Sequence, residues 1–379
     1  MIDQTQQMMY RLSNLDIQYQ KNSYQQSTGK VLQNGSDDSV LYSRVLSVDD
    51  KIRTYEGLKS QVDKTTLQNN TADSSLSQIK KILETVKSEL IKANTATTTA
   101  DGIAAIATGI AGLKENLYQL ANTQVEGEYV FAGSDSSVQP FVKDSTGKVT
   151  YQGNNQLKQV AVEEGSYREQ GVNGFDMMMY PSSTAYKGGT LNFKATDRVV
   201  DQDKNEWKLN SPTNNTLTKY DVSGNVTTDT LSVTSNGLTP PTYSATTPNV
   251  DGTKFEAKTN IFNFIDDTVN ALKKVDSLKN PITDAQSKAL ISNSLTEVTK
   301  VYDGVNVAHA DLGGKNQVFQ TSLERISSKL TQYNVLSQEI GAADLTKVAV
   351  QAKALELTYT SLYSTISKTN QLSLVNFLK

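Results

Sequence analysis

At 379 residues the chain is long enough for two or three domains, and its lack of cysteine excludes disulfides and thiolate metal sites. A net charge of −3, from 37 basic and 40 acidic side chains with no basic block, argues against nucleic acid or an anionic membrane as partner. Hydrophobic residues make up 37% and aromatic residues 7%, which suits long helices with narrow buried stripes better than one thick core.

No apolar run of about 18 residues is present to span a bilayer. The opening Met-Ile-Asp-Gln-Thr-Gln-Gln-Met-Met-Tyr has no basic n-region followed by an apolar h-region, so any export is expected to proceed without a cleaved signal. The first proline is Pro140 and the last is Pro281, so both ends are free to form long helices.

Met8, Leu12, Leu15 and Tyr19 alternate spacings of four and three, which predicts a helix over about 3–27 that stops near Gly29. Asn34-Gly35-Ser36-Asp37-Asp38 reads as a turn ending in N-cap residues. Leu41, Val45, Val48, Ile52, Tyr55 and Val62, then Leu76, Ile79, Leu83, Val86 and Leu90, predict a helix over about 39–92. Unbroken, it would span roughly 80 Å. Residues 63–75 lack clear apolar anchors, so a break or register shift can fall there. The Thr-rich stretch 95–99 reads as a connection, and Ile103, Ile106, Ile110, Leu113, Leu117 and Leu120 mark the next helix.

After Gly127 the period changes. Runs at 129–133, 149–153, 157–162, 191–194, 206–209, 217–222 and 230–234 have strand character. Ser223-Gly224-Asn225 is read as a hairpin turn, and the Pro-rich stretch 239–248 as the exit loop of a β module. Six of the seven prolines and the single tryptophan, Trp207, fall within 140–248.

Helices then resume. Ile261, Ile265, Leu272 and Val275 mark one, ended near Asn280-Pro281. Thr283-Asp284 caps the next, with Ile291, Leu295, Val298, Tyr302 and Val305 on its seam. Phe319, Leu323, Ile326, Leu330 and Tyr333 continue it past a weak point at Gly313-Gly314. Beyond Gly341, Leu345, Val348, Ala352, Leu355, Tyr359, Leu362 and Ile366 alternate strictly between spacings of three and four, the pattern of a helix that winds around a partner.

Ordinary domain core explains any one of these stripes equally well. The two terminal stripes together, far from the β module in sequence, form a candidate assembly interface. Residues 1–30 carry five charged side chains and residues 342–379 carry six. A solvated coiled coil normally flanks its seam with Glu and Lys. Neutral polar faces suit a helix surrounded by copies of itself, or a terminus that stays disordered until assembly.

The chemistry of a catalytic site is missing. His309 is the single histidine, so no multi-histidine metal centre can form. Gly314-Lys315 is followed by Asn316 and does not make a phosphate loop. Asp201-x-Asp203-x-Asn205 opens like a calcium loop, but Glu206 stands where glycine is needed and Pro212 where glutamate is needed. The pairs Asp37-Asp38, Asp49-Asp50 and Asp266-Asp267 fit helix capping and dipole compensation as well as acid–base work. Met177-Met178-Met179 is read as core of the β module. No catalytic residue, cofactor or metal site is assigned, and the chain is expected not to be an enzyme.

Ser27-Thr28-Gly29-Lys30-Val31, followed by Ser36-Asp37-Asp38 and Arg44, resembles the N-terminal motif of the flagellin family, with Ser39 in place of its usual proline. Ala121-Asn122-Thr123, Gly127-Glu128-Tyr129-Val130-Phe131-Ala132-Gly133 and Pro140-Phe141 are similar to the flagellar hook-associated protein 3 group, the hook–filament junction proteins. Gln371-Leu372-Ser373-Leu374-Val375-Asn376-Phe377-Leu378 also looks like the terminus of that group. The resemblance covers about 1–155 and 260–379.

It implies a mainly α, flagellin-like fold with paired N- and C-terminal coiled-coil helices, a long helical bundle and a central β-rich outer domain. The expected division is 1–38 and 341–379 for the terminal assembly helices, 39–139 and 259–340 for a helical rod, and 140–258 for the β-rich domain. The implied partners are the other hook–filament junction protein, flagellin and further copies in a ring. A cytoplasmic export chaperone would hold the C-terminal helix before type III export. A minor flagellin and a secreted adhesin using the β module remain as alternatives.

Overall fold

The computed structural model describes residues 2–95, 97–210, 215–222, 224–237 and 241–377, without the side chains of 2–5 and 369–377. The chain divides into two compact units, one of Met1–Ser60 with Glu324–Lys379 and one of Gln61–Leu323. Both dividing points fall inside long helices.

The first unit holds α1 (Ile2–Thr28), the start of α2 (Ser39–Ala93), the end of α6 (Asp284–Gly341) and α7 (Leu345–Phe377). Gly29 ends α1 with φ +68, a left-handed conformation that glycine adopts without strain. Asp37 accepts the backbone N–H groups of Gln33 and Asn34, and those bonds hold its carboxyl below the usual carboxylate range. Asp38 Oδ1 caps α2 by accepting from Val40 N (3.1 Å) and Leu41 N (2.9 Å). Asp344 Oδ1 does the same for α7, from Thr346 N at 3.0 Å and Lys347 N at 3.1 Å. Val48, Tyr55 and Ile326 are buried, and Tyr55 stacks on Tyr333 at 5.5 Å.

In the second unit α2 continues without the break that 63–75 suggested. Val62, Thr65, Asn69, Ala72, Leu76, Ile79, Leu83, Val86 and Leu90 are all buried and keep one alternation of three and four. The seam is therefore continuous, and its middle was hidden because Thr65, Asn69 and Ala72 are not large apolar residues. α3 (Ala100–Ala121) starts at Thr99, whose side chain accepts from Gly102 N. It packs on α5 (Ile261–Leu272), which Asn260 caps by accepting from Phe262 N at 2.9 Å. Val275 lies beyond α5 and pairs with Pro281 instead.

Thr283 starts α6 with a reciprocal cap. Its hydroxyl accepts from Gln286 N at 3.3 Å, while Gln286 Oε1 accepts from Thr283 N at 2.9 Å. Thr283→Ala is expected to lower stability by about 1 kcal/mol in urea unfolding. Gly313 and Gly314 do not interrupt α6. The flanking Leu312 is buried, and Lys315 donates to Gly171 O at 3.1 Å and pairs with Asp311 at 2.8 Å.

The segment after α3 is built from short hairpins. β1 (Gln124–Val125) pairs with β2 (Glu128–Tyr129), β3 (Phe141–Lys143) with β4 (Val149–Tyr151), and β5 (Gln159–Glu163) with β6 (Ser166–Glu169). The expected strand at 129–133 therefore ends at Tyr129. Gly133 sits at φ +92, and a Cβ there would come within 2.6 Å of Asn154 O, so only glycine fits this crossing. Asn122 acts as a substitute strand partner for Phe141, donating to its carbonyl and accepting from its N–H, both at 3.0 Å.

The remaining strands are β7 (Met179–Tyr186), β8 (Thr190–Lys194), β9 (Arg198–Asp201), β10 (Glu206–Leu209), β11 (Thr216–Tyr220), β12 (Val226–Ser235), β13 (Thr242–Thr246) and β14 (Lys254–Asn260). They form one antiparallel sheet in the order β7-β14-β9-β10-β11-β12-β13-β8. Its two end strands are joined by the turn at Gly188-Gly189 and lie close together without a hydrogen-bonded ladder, so the sheet curls barrel-like around one core. Leu191, Phe193, Val199, Trp207, Leu217, Tyr243 and Phe255 fill it. β11 and β12 form the expected hairpin; Ser223 itself lies outside the described residues.

The Pro-rich stretch 239–248 is not an exit loop. It contains β13, which pairs with both β12 and β8, and the module ends at Asn260. Pro241 and Pro248 flank that strand, where a missing N–H costs no ladder bond. Met177 and Met178 belong to the short α4 (Gly174–Met178) and join the helical core, not the barrel core.

Candidate assembly interface

α1 and α7 run antiparallel, with their seams facing each other. The chain enters this pair through a backbone clasp. Val31 N donates to Gly341 O at 2.9 Å, Ala343 N donates to Gly29 O at 2.8 Å, and Lys30 bridges Ala342. Val348 is the deepest side chain, 4% exposed, and its carbonyl accepts from Asn22 Nδ2 at 3.0 Å. Asn22 is itself buried, a polar member of the α1 seam that follows Tyr19 by three residues.

Met8, Leu12 and Leu15 on α1, and Ala352, Leu355, Tyr359, Leu362 and Ile366 on α7, are half-buried along this contact. Tyr19 meets Tyr359 edge-on at 6.3 Å, and Tyr359 stacks on Tyr363 at 6.1 Å. The Tyr359 hydroxyl donates to Asp16 Oδ1 at 3.2 Å; desolvation, then the Asp16 charge, raises the phenol above its ordinary value. Leu345 is 55% exposed and stands at the flank of the pair. The motif at 371–378 lies where side chains are not described.

The two seams thus satisfy each other within one chain. A second set of apolar residues stays in solvent. Tyr10 and Ile17 on α1 are 70% and 61% exposed, and Val350 and Leu357 on α7 are 67% and 64% exposed. Within each helix the two residues are seven apart, two turns, and so share the face opposite the seam. The dominant stripe masked them in the sequence. Their heptad spacing was the available signal.

Elsewhere the residues singled out for chemistry have structural partners. His309 Nε2 lies 2.8 Å from Asp73 and its Nδ1 3.5 Å from Lys80 Nζ. Asp201 accepts from Asp203 N, Asn205 N and the Trp207 indole N–H, so its oxygens close a turn. Asp266 takes both its bonds from buried Lys114, at 2.7 and 2.8 Å, and Lys114 also donates to Gly147 O. Among the described residues no group of three or more His, Cys, Asp or Glu could hold a metal ion, and no helix is long and apolar enough to cross a membrane.

The β1–β2 hairpin after α3 is also tied down electrostatically. Glu128 accepts from Lys64 and Gln68, each at 2.9 Å, and these bonds hold its carboxyl down at about 2. A lowered value means that the tie is present above the unfolded pKa of 4.5 and is lost as pH falls through about 2. Glu128→Gln should therefore lower stability at neutral pH and become indistinguishable from the parent below about pH 2 in acid titrations.

Paired terminal helices, long inner helices and an inserted β domain make up a flagellin-like fold. Residues 3–136 match the family model of the bacterial flagellin N-terminal helical region. Part of the chain is also similar to flagellar hook-associated protein 3. That protein from Escherichia coli K12 is 29% identical over 140 residues, which are 37% of this chain and 44% of the relative. The Salmonella typhimurium counterpart is 29% identical over 141 residues, 36% of this chain and 44% of its own length. The aligned part of the chain thus spans under half the length of these relatives. The crystal structure of flagellar hook associated protein-3 from Legionella pneumophila superposes with a TM-score of 0.52 at 16% identity, over 78% of this chain and 98% of that one. The flagellin-like fold that the resemblance implies is the fold observed.

Proposed function

We propose that the chain is a structural subunit of the bacterial flagellum at the hook–filament junction, needed for filament assembly and motility. The observation that carries this reading is the low-charge α1–α7 pair, which uses one seam internally and leaves Tyr10, Ile17, Val350 and Leu357 in solvent. Residues 1–38 and 341–379 would supply the contacts between copies, 39–139 and 259–340 the rod, and 140–258 the outer domain. Burying one Leu-sized side chain contributes about 1.5–3 kcal/mol, so a few such residues per copy can drive ordered assembly.

In this reading the partners are the other junction protein on the hook side, flagellin on the filament side, and further copies in a ring. A cytoplasmic chaperone holds the C-terminal helix before type III export, and the site of action is extracellular. No nucleic acid, membrane, cofactor or catalysis enters the mechanism, which is mechanical. The subunit offers hook and filament compatible helical faces. Sedimentation of the purified protein tests this against a minor flagellin. A junction subunit stays monomeric until it meets a hook or filament end; long filaments formed by the protein alone would refute the proposal.

A further inference from the structure

Where the barrel meets α5 and α6, three carboxylates surround one ammonium. Lys194 Nζ, at the end of β8, reaches Asp267 Oδ2 of α5 at 3.3 Å, and Asp197 and Glu297 act on the same ammonium through their charges. Glu297 of α6 accepts from the Tyr180 hydroxyl of β7 at 3.3 Å. Asp197, in the turn between β8 and β9, accepts at Oδ2 from Lys194 N (2.9 Å) and from the Ser182 hydroxyl (3.3 Å). Its other oxygen, Oδ1, is buried without a hydrogen-bond partner.

The groups that act on Asp197 are Lys194 from β8, Ser182 from β7 and Thr259 from β14, whose hydroxyl draws the carboxyl down; Asp267 from α5 and Glu297 from α6 share the Lys194 ammonium with it, and Tyr180 from β7 feels all three charges. The adjacent Arg198 turns away, to Glu206 and to the rings of Tyr151 and Phe175. An ionised carboxylate with an orphaned buried oxygen is costly, whereas a protonated carboxyl is not. Lys194 and Asp267 also line a cleft of about 640 Å³ that opens to solvent, which gives protons a route to the cluster.

We propose that this cluster is a proton-sensitive latch between barrel and helices, overloaded with negative charge near neutral pH and tightened when Asp197 takes up a proton. Burial raises the Asp197 carboxyl above its ordinary value, against the lowering effect of the Lys194 N–H. A raised value means that the stabilisation is complete below the unfolded pKa of 3.8 and is lost as pH rises through the folded one. Glu128, held at about 2, stays ionised throughout this window and works in the opposite sense only at lower pH.

The fluorescence of Trp207, the single tryptophan and a barrel core residue, reports barrel unfolding in urea. The full chain and Asp197→Asn are compared at about pH 7.5 and about pH 4.5. The variant is expected to have the higher midpoint at the upper pH, with the difference shrinking toward zero at the lower. Glu297→Gln keeps an acceptor for Tyr180 and removes a second charge, so it is expected to shift the midpoint in the same direction by less. A midpoint difference between Asp197→Asn and parent that is the same at both pH values, or an Asp197→Asn midpoint below the parent at the upper pH, would overturn the latch.

Discussion

Replacing Val348 with aspartate is expected to unpair α1 from α7, while the joint replacement Ile17→Asp and Leu357→Asp leaves them paired and still abolishes assembly. Val348 is the one α7 seam residue of this contact that is almost fully buried, and the seam residues from Ala352 to Ile366 are only half-buried. The substitution removes about 1.5–3 kcal/mol of apolar burial and adds the desolvation of a charge, more than a thin two-helix contact can absorb. Circular dichroism should lose helix, and limited proteolysis should cut within 345–368. Ile17 and Leu357 are 61% and 64% exposed, so their replacement should change stability by no more than about 0.5 kcal/mol. Electron microscopy of cells carrying the double variant should show hooks without filaments. Normal filaments would mean that the outward face is not an interface.

The second large effect concerns the barrel. Tyr180 and Thr259 are register partners in the β7–β14 pair, so the chain can be closed between them by a two-residue Asn-Gly turn in place of residues 181–258. The excision removes the barrel core around Trp207 but keeps Phe131, Phe141, Phe262 and the α2, α3, α5 and α6 seams, which form a separate cluster. The shortened chain is expected to fold, with its helical content retained, and to restore swimming to cells lacking the full-length protein. If motility fails although the shortened chain folds and is exported, the barrel has a part in the junction itself. If motility survives but adhesion to a surface is lost, the barrel has a binding role beside the structural one.

The helices were legible because their seams are written in large apolar residues at one period. α3, α5 and the terminal helices follow from that pattern alone, and the cap of α6 follows from Thr283-Asp284. The reading weakened where a seam turned polar. Thr65, Asn69 and Asn22 hold buried seam positions that a hydrophobic count passes over, so α2 looked interruptible and the α1 contact looked shorter than it is. Several strands were missed, β9 and β14 among them, and two of the misses have a plain chemical cause. β7 carries Pro181 beside an irregularity in its pairing with β14, and β13 lies between two proline positions that mimic a loop. The stripes at Met8–Tyr19 and Leu345–Ile366 are the ones that pair within the chain, while the outward Tyr10, Ile17, Val350 and Leu357 required knowing which face was already occupied.

Immunogold labelling of this protein on intact flagella puts the junction role to its most direct test. The account predicts a single narrow band where hook meets filament. Gold distributed along the whole shaft, or absent from flagella altogether, would contradict it.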